Sequence, residues 1–203
     1  LTKAHPLRSF SINIQDGVNA SIGNGDSWES HVEDTLRTGQ LLNNPNIVSS
    51  ICREAPQVIE DLDKIGLPLH RDSAGSFELK KLIGSSTART ATVDDITGHA
   101  LMQVLYEQAL KGDVKFLEEW YASSLIVEGG QCKGVIGIEV ATGKLEIFPA
   151  KSVVLATGGI RRLYEPSTAS FLCTSDGIAM AYRAGANLSD MEMVQYHPFV
   201  IKN

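Results

Sequence analysis

The chain has 203 residues, 43% of them hydrophobic and 21% charged, a balance that lets one α/β domain bury its own core. Its formal charge of −6, with no run of Lys or Arg, excludes the electrostatic footprint of a nucleic-acid binder or of a protein drawn to an anionic membrane surface. No stretch approaches the roughly 20 apolar residues of a membrane span, and Cys52, Cys132 and Cys173, odd in number and without a Cys-x-x-Cys pair, signal neither a disulfide framework nor a zinc site and fit a reducing cytoplasm.

The first residues, Leu1-Thr-Lys-Ala-His5, carry no Met and no signal-peptide pattern, so the expectation is a sequence that begins inside a longer protein. Residues 1–25 have glycine and asparagine-glycine steps but no helical period, and read as loop and short strand. Asp26-Ser-Trp-Glu29 has the spacing of a capping box and predicts a helix through Thr38 that stops at Gly39. Asn44-Pro45 opens a second helix, with Ile47, Ile51, Ala55, Val58, Ile59 and Leu62 at helical spacing and Gly66 at its end; Pro56 is expected to kink or split it. Two short strands are predicted around Asp72-Ser-Ala-Gly75, then a polar loop over Ser85 to Thr97.

Thr97-Gly98 leads into a third helix, with Leu101, Met102, Leu105, Ala109 and Leu110 on one face and Gly112 as its stop. The period then changes: Val114 to Val127, Cys132 to Val140, Lys144 to Phe148 and Ser152 to Ala156 predict a β-meander feeding a buried strand. Asp176 to Ala184 predicts a short helix ended by Gly185.

The strongest local signal is Val153-Val-Leu-Ala-Thr-Gly-Gly159, an apolar strand running into small residues where a ligand could approach the backbone. A tight turn after a core strand explains it as well, and no Gly-x-Gly-x-x-Gly fingerprint occurs in the chain. Several motifs in order say more than one: Arg8-Ser-Phe-Ser-Ile-Asn-Ile-Gln-Asp-Gly17-Val-Asn-Ala20, Asp94-Asp-Ile-Thr-Gly-His99, Glu119-Trp-Tyr-Ala122, Ala156-Thr-Gly-Gly159, Ser175-Asp-Gly177 with Ala184-Gly185, and Gln195-Tyr-His-Pro198. This series resembles the succinate dehydrogenase/fumarate reductase flavoprotein family, which includes L-aspartate oxidase, across essentially the whole chain.

The resemblance implies an α/β, FAD-binding, doubly wound (Rossmann-like) domain with an antiparallel β-meander, of which residues 1–203 are the central part. It implies that the Gly-rich βα unit lies before Leu1, and the capping domain, with the remaining carboxylate clamps and the proton-transferring arginine, after Asn203. By position, Arg8, Ser9, Gln15 and Gly17 inherit cofactor contacts, Ala122 lies beside the adenine, Ala156, Thr157 and Gly158 lie beside the pyrophosphate and ribose, and Asp176 hydrogen-bonds the FAD. Without the family, Asp176 would read as an ordinary helix cap. His197 matches the histidine that holds a substrate carboxylate near the flavin, where two hydrogens leave adjacent carbons of a dicarboxylate. His99 and Arg89 are weaker candidates, each explained equally by a helix-start hydrogen bond or a surface ion pair.

Three positions depart from the family pattern. Phe10 stands where many membrane-bound members anchor the flavin covalently through histidine, which implies non-covalent FAD; Asp16 interrupts Gln-Gly-Gly, and Ala88 replaces the histidine before Arg89. The expected activity is interconversion of succinate and fumarate, with an iron-sulfur subunit as electron partner, no direct membrane span, and a cytoplasmic location, free or peripheral through partner subunits. Arg53-Glu-Ala-Pro56 and Gly66-Leu-Pro-Leu69 favour that activity; Ser30-His-Val-Glu-Asp-Thr-Leu36 and Phe10 also suit L-aspartate oxidase. A non-catalytic binding fragment is the alternative of another class, and the isolated 203 residues are expected to be inert and to hold FAD weakly.

Overall fold

The computed structural model describes residues 1–196, which divide into two units, Pro6–Lys115 and Leu1–His5 with the chain from Phe116 onward. In the first, two 3-10 turns, Pro6–Arg8 and Phe10–Asn13, precede β1 (Val18–Asn19). Helix α1 spans Trp28–Thr38 and is capped by Ser27, whose hydroxyl accepts from the Ser30 N–H at 3.1 Å. The cap therefore falls one residue later than the Asp26 box predicts, because Asp26 is drawn elsewhere.

Helix α2 runs unbroken over Pro45–Lys64, started by Asn44 Oδ1 accepting from the N–H groups of Asn46 and Ile47. Pro56 lies inside it without splitting it, against expectation: one forfeited backbone hydrogen bond is outweighed by the packing of a 20-residue helix. Its core face is also rotated from the predicted one. Val48, Cys52 and Ile59 are buried, with Ala55 and Leu62 packed beside them, while Ile47, Ile51 and Val58 face solvent.

Strands β2 (Leu79–Lys80) and β3 (Thr90–Ala91) follow, and the sheet order is β1-β3-β2, all antiparallel, with Ala91 opposite both Val18 and Leu79. Of the two short strands expected between Leu67 and Ile83, the second forms as β2, while the first reduces to a bridge of Arg71 with Phe77 about a turn that Asp72 Oδ1 ties by accepting from the N–H groups of Ala74 and Ser76. The predicted polar loop of 85–97 holds the central, buried strand instead. Two of its threonines are paired, Thr90 donating to Asn19 Oδ1 at 2.6 Å and Thr97 Oγ1 accepting from the Val93 N–H at 2.9 Å, while the buried Thr92 hydroxyl has no partner among the described residues. Helix α3 spans Thr97–Lys111 and buries Thr97 and Gly98 at its start; Leu105 and Leu110, placed on the core face by the sequence, are exposed. The core joins Ala20, Ile59, Leu67, Leu69, Ala91 and Val93.

In the second unit β4 (Trp120–Glu128), β5 (Gln131–Glu139) and β6 (Leu145–Pro149) form the predicted antiparallel meander. The Trp120 and Phe148 rings meet edge-on at 5.1 Å over Gly137, where a Cβ would lie 2.8 Å from Phe148. The chain start joins the meander through a parallel bridge of Thr2 with Glu118. Ser152–Ala156, expected as a buried strand, has no regular secondary structure and pairs with no strand among the described residues, and Val154 is 88% exposed. An apolar run becomes a buried strand only where a neighbour completes its ladder. Helix α4 (Asp176–Arg183) packs on β4, and Gly185 ends it with φ +94° as predicted. All three cysteines are free, and no helix among the described residues is long and apolar enough to cross a membrane.

Candidate functional site

The sequence-predicted residues fall into both units. In the meander unit, Thr157, Gly158 and Asp176 come together at the start of α4. The Gly177 N–H donates to Thr157 Oγ1 at 3.0 Å, and a Cβ on Gly177 would sit 2.1 Å from that oxygen. Thr157 therefore caps α4 in place of the helix's own residues, since Ser175, in a left-handed conformation, makes no side-chain cap. Asp176 is turned away from this role. Its carboxylate accepts from Lys3 Nζ at 2.5 Å and from Thr174 Oγ1 at 3.0 and 3.1 Å, so the ordinary-cap explanation does not describe it.

Ala156 to Gly159 form an exposed run without regular secondary structure, and Gly158 adopts φ +79° with open space where a Cβ would be. Such a run presents backbone donors and acceptors that a dinucleotide can use. Ala122 lies near the beginning of β4, opposite Gly137 and beside a register shift.

In the unit of Pro6–Lys115, Arg8, Ser9, Gln15 and Gly17 sit on the loop that precedes β1. This loop is seated on the first turn of α3: the Gly98 N–H donates to Ile14 O at 2.8 Å, and a Cβ on Gly98 would fall 2.0 Å from Ser11 O. Arg8, Gln15 and Asp16 are exposed. The Ser9 hydroxyl is shielded from solvent and has no hydrogen-bond partner among the described residues, as expected of a group that serves a ligand. Gly17 is required for packing as well, because its φ is +100° and a Cβ would lie 2.4 Å from Ala91 O. His197 lies outside the described residues.

Sequence reasoning missed Lys3, a lone lysine without a motif, and a buried ionic cluster in the Pro6–Lys115 unit. Arg89 is neither at a helix start nor on the surface. Its side chain is 0% exposed and pairs with Asp26 at 3.0 Å and Asp34 at 3.1 Å, themselves 1% and 7% exposed. It also donates to Thr87 Oγ1 at 2.9 Å and Ser30 Oγ at 3.2 Å. The cluster borders a cavity of about 340 Å³ lined in part by Asn19, His31, Thr38 and Asn43. His99, the other weak candidate, is exposed.

Burial lowers the His31 pKa, and the Arg89 charge lowers it further against the opposing pull of Asp26 and Asp34. At Asp34 burial opposes ionisation, but hydrogen bonds from the Ser86 N–H and hydroxyl, with the charges of Arg89 and Arg37, outweigh it and hold the carboxyl below its usual range. The sign for stability follows. His31 binds its proton more weakly folded than unfolded, so its contribution is complete above pH 6.5 and is lost as the pH falls through the folded value. The melting temperature is expected to fall between neutrality and about pH 5, and His31→Gln to flatten that slope; an unchanged slope in the variant would remove His31 as the cause.

The sequence profile of the family described as "FAD binding domain" matches residues 2–202. The chain belongs to the FAD binding domain family. Within this family it is 38% identical over 208 residues to the succinate dehydrogenase flavoprotein subunit of Rickettsia conorii, an alignment that takes in 98% of this chain and 35% of that protein. It is 37% identical over 199 residues to the fumarate reductase flavoprotein subunit of Mycobacterium tuberculosis, with 98% and 34% covered. The fold matches that of the FrdA chain of E. coli quinol fumarate reductase with a TM-score of 0.93 and 31% identity, over 97% of this chain and 34% of that one. The FAD binding domain chain thus spans about a third of the length of the curated relatives it matches. The resemblance drawn from the motif series is borne out, as is the α/β flavoprotein fold.

Proposed function

We propose that this chain is the central part of an FAD-dependent oxidoreductase of the succinate dehydrogenase/fumarate reductase type. The single observation that carries the reading is the family match over nearly every residue, 2–202, together with 38% identity to a succinate dehydrogenase flavoprotein. By the resemblance, Arg8, Ser9, Gln15, Gly17, Ala122, Ala156, Thr157, Gly158 and Asp176 are the residues assigned to cofactor contact. When bound, FAD supplies two-electron redox chemistry that no amino-acid side chain provides.

The chain's own residues bind and orient. The shielded Ser9 hydroxyl offers a hydrogen bond that no other described residue uses. Thr157, while accepting from Gly177, keeps its own O–H free to donate. Asp16 is exposed, so its charge is compatible with solvent rather than with a buried phosphate site. His197 holds one carboxylate of a dicarboxylate substrate. An iron-sulfur subunit receives the electrons, and the flavoprotein works in the cytoplasm or at the membrane periphery through its partners.

Phenylalanine has no nucleophilic atom, so Phe10 supports non-covalent FAD. The complete protein is expected to be yellow, to release its flavin into the supernatant on acid precipitation, and to oxidise succinate in preference to L-aspartate. Flavin retained in the acid pellet would sink the non-covalent assignment; a colourless protein would sink the whole reading and leave the binding-fragment alternative.

A further inference from the structure

We infer that Lys3 is a positioning residue, one that fixes and neutralises Asp176 for cofactor binding; this rests on the flavin reading above. Lys3 Nζ donates to Leu172 O at 3.0 Å, Thr174 Oγ1 at 2.8 Å and Asp176 Oδ2 at 2.5 Å. Three acceptors match the three donors of an ammonium group, so the head group has one satisfied geometry. Its backbone is held too. The Thr2 N–H donates to Leu117 O at 2.9 Å and the Trp120 N–H to Thr2 O at 3.0 Å, which anchors the chain start where β4 begins.

The hydrogen bonds around Asp176 close on themselves. Thr174 Oγ1 accepts from Lys3 and donates to the carboxylate, and the Gly177 N–H at the helix start is satisfied by Thr157. The carboxylate is therefore released from capping α4 and locked toward Lys3. A bare carboxylate beside Thr157 and Gly158 would repel a dinucleotide's phosphates; paired with Lys3 it can still accept a hydrogen bond from a neutral hydroxyl or N–H while presenting no net charge. An ion pair spanning 173 residues of sequence also fixes the chain start against the α4 turn within this unit.

A double-mutant cycle in the complete protein tests this, with FAD affinity read from quenching of flavin fluorescence and apoprotein stability from thermal melting. Lys3→Met is expected to raise the FAD Kd about tenfold, equivalent to about 1.4 kcal/mol, and Lys3→Arg to recover most of it. In an Asp176→Asn background, Lys3→Met is expected to change the Kd little, because its effect passes through the carboxylate. A purely structural lysine would lower the melting temperature without this non-additivity in affinity. Should Lys3→Met not accumulate as folded protein, Lys3→Gln takes its place in the cycle. Wild-type affinity in the single variant, or an equal loss in both backgrounds, overturns the inference; failure of the wild type to take up FAD overturns the flavin reading and this inference with it.

Discussion

Arg89→Met is expected to lower the stability of the Pro6–Lys115 unit by about 4 kcal/mol, the cost of stranding buried charges without their partner. Arg89 is completely enclosed, and its guanidinium is the cation that Asp26 and Asp34 share. Asp34 would keep Arg37 and the Ser86 hydrogen bonds, whereas Asp26 would keep only the adjacent Ser27 N–H. Asp26 should therefore account for most of the loss, and adding Asp26→Asn to Arg89→Met should return part of it. The contacts to Asp26, Asp34, Thr87 and Ser30 all pass through Nη2, while Nε and Nη1 are buried without a partner among the described residues, so Arg89→Lys, which keeps one compact charge, is expected to lose less stability than Arg89→Met. Chemical denaturation of the wild type and variants decides the matter, and a loss under about 1 kcal/mol would mean that the cluster behaves like a surface ion pair. The same network weakens one reason for an L-aspartate oxidase reading, because Ser30, His31 and Asp34 of the motif that suits it are placed by packing around Arg89.

What the sequence made legible was local. Asn44-Pro45 at a helix start, and Gly66, Gly112 and Gly185 at helix ends, act through the backbone of their own neighbours, and each was found where expected. What it hid was settled by distant partners. Helix α2 carries apolar residues around much of its circumference, so periodicity alone could not choose Val48 and Cys52 over Ile47 and Ile51 for the core. Thr90-Ala91 looked like polar loop because threonine's hydroxyl hides its suitability for a buried strand, a suitability realised only once Asn19 accepts from it. Arg89 finds Asp26 63 residues earlier, and Lys3 finds Asp176 near the opposite end of the chain, and no local pattern announces either pair. The order of the motifs named candidate site residues one by one, while the contacts that hold Thr157 and Asp176 in place were not legible in it.

Gly17→Ala is expected to cost about 3 kcal/mol, the combined effect of a strained backbone and an overpacked strand. With φ at +100° an alanine is disfavoured before any contact is counted. Its Cβ would then lie 2.4 Å from Ala91 O, 2.7 Å from Thr92 Cγ2 and 2.9 Å from Thr90 Cγ2. The first of these is backbone of the central strand, paired on both sides by Val18 and Leu79, so relief requires moving the sheet rather than rotating a side chain. The sequence offered another reason for a glycine here, close approach of a cofactor, and the two reasons predict different behaviour. If packing dominates, the apoprotein loses the full amount and residual folded protein binds FAD nearly as well as the wild type. If cofactor approach dominates, apoprotein melting is unchanged and only the FAD Kd rises. Melting the apoprotein and titrating it with FAD separates the two; the geometry at Ala91 predicts the loss of apoprotein stability, whether or not the FAD Kd also rises, and an unchanged apoprotein would overturn that.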